Sequence, residues 1–280
     1  MGELDYRAIF ISDIHLGTAD CRADYLLDFL RHTHCDTLYL VGDVIDLWAM
    51  RRQVHWPTSH TELVRYVFEL AASGTRVVYI PGNHDEAFRR LAGNTYNGID
   101  ILLEAVHVTR DGRRLRVSHG DEFDAVVRCG PILRLIGDYS YNILLWLNRQ
   151  AALFRGQSGR PYWSLSAWLK KRMGGARRYV HRFMLAAAHE AAQNDFDGHV
   201  CGHIHVAAIE KVGNVLYCND GDWVEHCSAL VENRDGRLQL LHWADHKRVV
   251  RELTGKEVID ASSPLAIPDL AAQLARHLSR

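Results

Sequence analysis

Three short apolar runs set the frame: Ala8 to Ile11, Leu38 to Val41 and Val77 to Ile80. Each is bounded by Gly, Asp or Pro. The segments between them, Tyr25 to Arg31 and Glu62 to Ala72, carry apolar residues at helical spacing. Strand, helix, strand, helix, strand implies a parallel sheet with covering helices, because parallel neighbours need a long crossover connection. In such sheets ligands gather beyond the carboxyl ends of the strands, so the polar residues just past each run carry the most information.

Two hairpins follow. Val106 to Thr109 and Leu115 to Ser118 flank Asp111-Gly112, and Ala229 to Glu232 and Leu238 to Trp243 flank Asp235-Gly236. A parallel half followed by antiparallel strands predicts two packed sheets with helices outside. Residues 128–182 break the pattern, with eleven basic side chains against the single acid Asp138. The formal net charge of −1 is therefore the sum of a +10 segment and a −11 remainder. The same segment holds Trp146, Trp163, Trp168 and the apolar run Tyr139 to Leu147, and it reads as a helical cap inserted in an α/β body. The expected organisation is a main body over residues 1–250, a cap over 128–193 inside it, and a C-terminal tail over 251–280.

The first strand begins almost at once, and no run approaches 18 consecutive apolar residues, so we expect no signal peptide, no membrane span and a cytoplasmic protein. Six scattered cysteines with no C-x-x-C pair are expected to be indifferent thiols.

The chemistry follows the strands. Asp13-Ile14-His15 succeeds the first run, Gly42-Asp43-Val44-Ile45-Asp46 the second, and Gly82-Asn83-His84-Asp85 the third. His119-Gly120-Asp121 ends the first hairpin, and Gly202-His203-Ile204-His205 follows Val200. Strand alternation would point Asp13 with His15, and His203 with His205, to one side. Oxygen and imidazole donors without thiolate suit Mn, Fe or Zn, and a pair of such ions can activate water for attack on phosphorus. Asn219-Asp220-Gly221-Asp222-Trp223, directly after another apolar strand, is either a further wall of the site or a plain turn. The twelve histidines outside these motifs are expected to be structural or surface groups.

In this order the motifs resemble the calcineurin-like metallophosphoesterase superfamily, over residues 7 to about 245. The resemblance implies an α/β fold in which a two-sheet β-sandwich is flanked by helices. It implies two divalent metal ions, Mn2+ foremost with Fe or Zn as alternatives. One ion would take Asp13, His15, Asp43 and His205, and the other Asp43, Asn83, His119 and His203, with Asp43 bridging. A hydroxide between the metals would attack phosphorus, His84 would protonate the leaving oxygen, and Asp85 would orient His84 or its loop.

The cap placed after His119-Gly120-Asp121 is similar to that of the UDP-2,3-diacylglucosamine pyrophosphatases of lipid A biosynthesis. That likeness implies cleavage of UDP-2,3-diacylglucosamine to 2,3-diacylglucosamine 1-phosphate and UMP, by a cytoplasmic enzyme peripherally attached to the inner membrane. The expected substrate contacts are Arg160, Lys170, Lys171, Trp146, Trp163 and Asp222. His84 stands where the best-known members have Arg, and Ile45-Asp46 where they have Phe-Glu. Another phosphodiester or phosphomonoester is thus the alternative substrate. The basic residues lie beside a long apolar run, which disfavours nucleic acid as the partner. An exposed apolar cap edge would also support a homodimer.

Overall fold

The computed structural model of the chain describes residues 4–127, 165–243 and 248–252. The greater part of the expected cap, including Trp146, Arg160 and Trp163, lies outside the described residues, as does the C-terminal tail. The side chains of Lys170 and Lys171 lie outside them as well.

The chain divides into two compact units, one of residues 1–122 with 187–280 and one of residues 123–186. The first unit is built on two sheets. Its larger sheet runs β13-β12-β11-β1-β2-β3-β5-β4. The parallel strands at its centre are β1 (Leu4–Ile11), β2 (Thr33–Val41), β3 (Arg76–Ile80) and β5 (Ile99–Ile101). Beside β5 lies antiparallel β4 (Asn94–Tyr96), and on the other edge β11 (Ser228–Asn233), β12 (Leu238–His242) and β13 (Arg248–Glu252). The smaller sheet runs β6-β7-β8-β10-β9. It comprises β6 (Ala105–Val108), β7 (Arg114–Val117), β8 (Gly198–Cys201), β9 (Ala208–Val212) and β10 (Val215–Asn219).

Alternation along the central strands explains both layers of core. Ala8, Phe10, Tyr39, Val41, Val78 and Ile80 face the smaller sheet and pack with Leu115, Val117 and Val200. Their neighbours Ile9, Ile11, Leu38, Leu40 and Val77 face the helices. A strand buried on both faces must be apolar at nearly every position, which is why these runs look continuous in sequence. The covering helices are α1 (Ala23–Arg31) and α3 (Thr58–Ala72), with the short α2 (Leu47–Met50) between them. Leu26, Leu27, Phe29 and Leu30 form the buried stripe of α1, and Leu63 and Val67 that of α3.

Both Asp-Gly turns close hairpins. Thr109 N–H donates to Arg113 O (2.9 Å) and Asn233 N–H to Arg237 O (2.9 Å), with Gly112 and Gly236 in the left-handed region. Their destinations differ from a simple parallel half and antiparallel half. The second hairpin extends the larger sheet by pairing β11 antiparallel to β1. In the smaller sheet β7, β8 and β10 are mutually parallel. The long passage from β7 to β8 lets the chain return in the same direction, which no short turn allows.

The unit of residues 123–186 contains α4 (Asp124–Val127) and most of the long helix α5 (Leu165–Gln193). Within it Tyr179 donates to Asp124 (2.8 Å) and Phe123 meets Phe183 edge to face. The last turns of α5 belong to the first unit, where Ala188 and Ala191 pack on Val215. No helix among the described residues is long and apolar enough to cross a membrane.

Candidate metal centre

Five loops leave the carboxyl ends of β1, β2, β3, β7 and β8 and bring the expected ligands together. Strand alternation is not what aims them. Asp13, His15, Asp43, His203 and His205 all lie past their strands and take φ between +50° and +68°. Left-handed backbone costs a non-glycine residue roughly 1–2 kcal/mol, so each must be held by its surroundings. Ile14 and His15 N–H both donate to Asp43 O (3.0 and 2.9 Å), and Trp223 N–H donates to Asp13 O (3.1 Å). The carboxylates pin the neighbouring loops in return. His203 N–H donates to Asp13 Oδ2 (2.8 Å), and His84 N–H to Asp43 Oδ1 (2.8 Å).

Three groups of donor atoms result, each within 4.8 Å: Asp43 with His119 and His203, Asp13 with His15 and His205, and, sharing His15 with the second, Asp46 with His84. Asp43 Oδ2 lies 3.4 Å from His119 Nε2 and 4.0 Å from His15 Nε2, so it stands between the first two groups. Asn83 Oδ1 is 3.3 Å from His119 Nε2. Close packing keeps the loops this near: a Cβ on Gly82 would lie 2.7 Å from the Asp43 amide nitrogen and 2.7 Å from His119 Cδ2.

These residues fit a pair of divalent cations. Asp13 Oδ1 and His15 Nε2 are fully buried 3.8 Å apart, and His205 Nε2 closes on the same oxygen at 3.0 Å, an arrangement that costs free energy unless a positive charge is shared among them. The far nitrogens are taken: His15 Nδ1 meets Asp46 Oδ2 (3.0 Å), and His119 Nδ1 meets Val41 O (2.9 Å). Such contacts fix the ring orientation and leave Nε2 for a metal.

The electrostatics agree. Burial alone would raise the Asp13 carboxyl, but His205 and His15 outweigh it and hold it well below the usual range. Asp43 follows the same pattern, with His119 dominating burial. Burial would lower His15, yet Asp13, Asp46 and Asp43 push it up to about 10. Against the same opposition from burial, Asp43 raises His119 and Asp13 raises His205. Without a cation the carboxylates keep protons on the imidazoles, and a bound cation takes the place of those protons.

His84 sits beside the first two groups with its side chain 26% exposed. Its Nδ1 is 3.0 Å from Asp46 Oδ1, and its Nε2 is 4.0 Å from Asp43 Oδ2. Trp48 packs over the ring (centroids 4.4 Å apart), and His15 meets it edge-on (4.8 Å). Asp85 is fully buried and is spent on backbone. It accepts from the N–H groups of Gly82 (2.6 Å), Val44 (2.8 Å), Asp43 and Ile45 (both 3.3 Å), and from the Tyr79 hydroxyl (2.6 Å). It thereby clamps the loop that carries Asp43.

Asp222, expected at the substrate, is fully buried and caps the turn that follows it. It accepts from Val224, Glu225 and His226 N–H (2.9, 2.6 and 3.1 Å) and pairs with the His226 ring. Its neighbour Asp220 does approach the site. Ser12 Oγ lies 2.6 Å from Asp13 Oδ2 and 2.5 Å from Asp220 Oδ1. One hydroxyl proton cannot serve two carboxylates. Burial raises the Asp220 carboxyl well above its usual range, while the histidines hold Asp13 below it.

Sequence reasoning did not single out Asp46, Ser12 or Trp48. Asp46 carried the one available signal, the spacing of two acids in Gly42-Asp43-x-x-Asp46. Of the remaining histidines, His107 and His199 are buried structural groups: His107 pairs with Glu232 (2.8 Å), and His199 with Ser118 (2.8 Å). The thiols of Cys21, Cys35 and Cys218 are pushed up to about 12 by burial, as inert cysteines would be.

Comparison with known proteins follows the same residues. A family model described as calcineurin-like phosphoesterase matches residues 6–207. A UDP-2,3-diacylglucosamine hydrolase of Ralstonia nicotianae is 30% identical over 116 residues, covering 40% of this chain and 42% of the relative. A DNA polymerase II small subunit of Methanothermobacter thermautotrophicus is 28% identical over 158 residues, covering 44% of this chain and 32% of the relative. The chain thus spans less than half the length of these curated relatives. Among solved structures, the phosphoesterase Yfce from E. coli aligns over 88% of this chain and 97% of its own, at 17% identity and a TM-score of 0.47.

Proposed function

The chain belongs to the calcineurin-like phosphoesterase family, and from that premise we propose that it hydrolyses a phosphoester with two divalent cations held around Asp43. The observation that carries this reading is Asp43 Oδ2, set between two groups of His and Asp donors of which only His203 and His205 are part-exposed. Asp13, His15 and His205 would hold one cation, and Asn83, His119 and His203 the other, with Asp43 shared. Bound there, two cations bring the pKa of water towards neutrality and offset the charge that builds on phosphoryl oxygens. The oxygen and imidazole donor set suits Mn2+.

The chain's own residues supply the rest. Asp46 fixes His84 through Nδ1, which leaves Nε2 turned towards the centre and able to give a proton to the leaving oxygen. Trp48 holds the imidazole from its open side. Asp85 fixes the Asp43 loop.

For the substrate we propose UDP-2,3-diacylglucosamine, cleaved to 2,3-diacylglucosamine 1-phosphate and UMP. Relatives bearing that hydrolase name support the choice. So do two large apolar side chains left in solvent next to site residues: Trp48 over His84, and Val206 beside His205, 39% and 40% exposed. The basic and aromatic residues of 128–182 are the proposed contact with an anionic inner-membrane surface. The test is UMP release from UDP-2,3-diacylglucosamine, set against UDP-N-acetylglucosamine and bis-p-nitrophenyl phosphate with Mn2+ present. Acyl-dependent UMP release is expected. Turnover indifferent to the acyl chains removes the lipid reading, and cleavage of single-stranded DNA without UMP release replaces it with a nucleic-acid one.

A further inference from the structure

The larger sheet hides a second space, remote in chemistry from the polar centre. Between its helix-facing side and helices α1 and α3 lies a cavity of about 250 Å3. Ile11, Leu40 and Ile101 wall it from the sheet, Leu30 from α1, and Leu63 and Val67 from α3, with no polar surface among the lining residues. Protein interiors are close-packed, and voids larger than a water molecule are few. An empty space of this size forfeits dispersion contacts along all its walls, at a cost that grows with its volume. Water is no remedy, because a buried water needs two to four polar partners.

One side of the cavity is bounded by side chains that reach solvent. Val64 and Leu91 are part-buried there, and Phe68 and Tyr96 are 38% and 46% exposed, large side chains left uncovered among the described residues. We propose that this cavity binds one unbranched aliphatic chain, inserted between Phe68 and Tyr96, with its head group left in solvent. A dry cavity of about 150 Å3 lined by such residues holds benzene, so this one has room for a chain of about eight to ten carbons. The absence of a polar wall means that a neutral and a charged head group serve equally.

The site is not isolated from the metal centre. Val44, Ile45 and Tyr79 also line the cavity. Tyr79 donates to Asp85, which accepts the N–H groups of Asp43, Val44 and Ile45. An occupant therefore touches the loop that presents Asp43.

The chain could be a free lipid or an acyl arm of the substrate, and the experiment separates them. Full-length protein is titrated with 1-decanol and with decanoate while its melting temperature is followed, and a crystal is pressurised with xenon. Saturable stabilisation by both alkyl probes and a xenon peak between α3 and β5 are expected. Val67→Phe, which fills the space from α3, should weaken decanol binding at least tenfold, and Val64→Trp at the mouth should do the same by blocking entry. No alkyl stabilisation together with no xenon peak overturns the proposal, as does stabilisation that persists unchanged in both variants. With an acylated substrate, decanol that competes and raises KM assigns the cavity to the substrate's own arm. Decanol that binds and leaves KM unchanged assigns it to a separate lipid. Binding is read without turnover, so it stands or falls apart from the phosphoesterase reading.

Discussion

Asp46→Asn is the most informative single change, because it alters charge and donor pattern while keeping shape. In the native site Asp46 Oδ1 receives Ala49 N–H (2.7 Å) and lies 3.0 Å from His84 Nδ1, while Oδ2 lies 3.0 Å from His15 Nδ1. An amide has one acceptor oxygen, and two donors already converge on the Oδ1 position. The new NH2 group is then left facing His15 Nδ1, donor against donor. His15 must give up that hydrogen bond or take the other tautomer, which puts a proton on the Nε2 meant for metal. A hydrogen bond to a charged partner is worth roughly 1.5–3 kcal/mol, or about 10- to 100-fold in an equilibrium constant. Loss of an outer partner of a ligating histidine has the same scale. Asn caps a helix as well as Asp, so α2 should persist, but the metal-free protein loses the charged partner of a protonated His15 and should melt lower. We expect one of two Mn2+ affinities to fall by about 10- to 100-fold in a chelator competition, with the secondary structure preserved by circular dichroism. Unchanged affinity at both sites would refute the assignment of Asp46 as the group that orients His15.

Three further outcomes follow from the same geometry. His84→Ala should retain two metals per chain yet lose about 10²- to 10⁴-fold in rate on esters with poor leaving groups, and far less on p-nitrophenyl esters, in parallel kinetic assays. Gly82→Ala places a Cβ 2.7 Å from the Asp43 amide nitrogen. Overpacking of that kind costs about 1–3 kcal/mol, so calorimetry should show a melting temperature lower by about 3–10 °C, together with weakened metal binding. Burial lowers His199 to about 4, so between the ordinary histidine value and that pH the unfolded chain binds a proton that the folded one refuses. Stability attributable to neutral His199 is complete above about pH 6.5 and is lost as pH falls towards 4, by up to roughly 1.4 kcal/mol per unit. His199→Gln should flatten that slope in denaturant titrations, and a slope equal to wild type would count against it.

What could be read from the chain beforehand was whatever depends on local pattern. Asp13, Asp43, Asn83, His119 and His203 each follow an apolar run directly, and the position past a parallel strand is a general binding position, so they could be picked out one loop at a time. Asp46 could not, because its role depends on His15 and His84, which arrive on two other loops. The left-handed backbone at Asp13, His15, Asp43, His203 and His205 was hidden for a related reason. Local preference disfavours it, and only contacts across loops sustain it. Alternation therefore placed Asp13 with His15 on one side for a reason the backbone does not use. At Asp222 the sequence leaves the role open, because a carboxylate past a strand serves equally to cap a turn, as it does here. In the smaller sheet, the parallel course of β7, β8 and β10 is set by the long passage between β7 and β8, whose length carries no direction by itself.

The central claim is that two cations share Asp43. Anomalous diffraction from a crystal of the Mn2+-loaded protein tests it directly. Two peaks are expected, one among Asp13, His15 and His205 and one among Asn83, His119 and His203, with the Asp43 carboxylate touching both. A single peak, or two peaks with Asp43 bound to neither, would contradict the account.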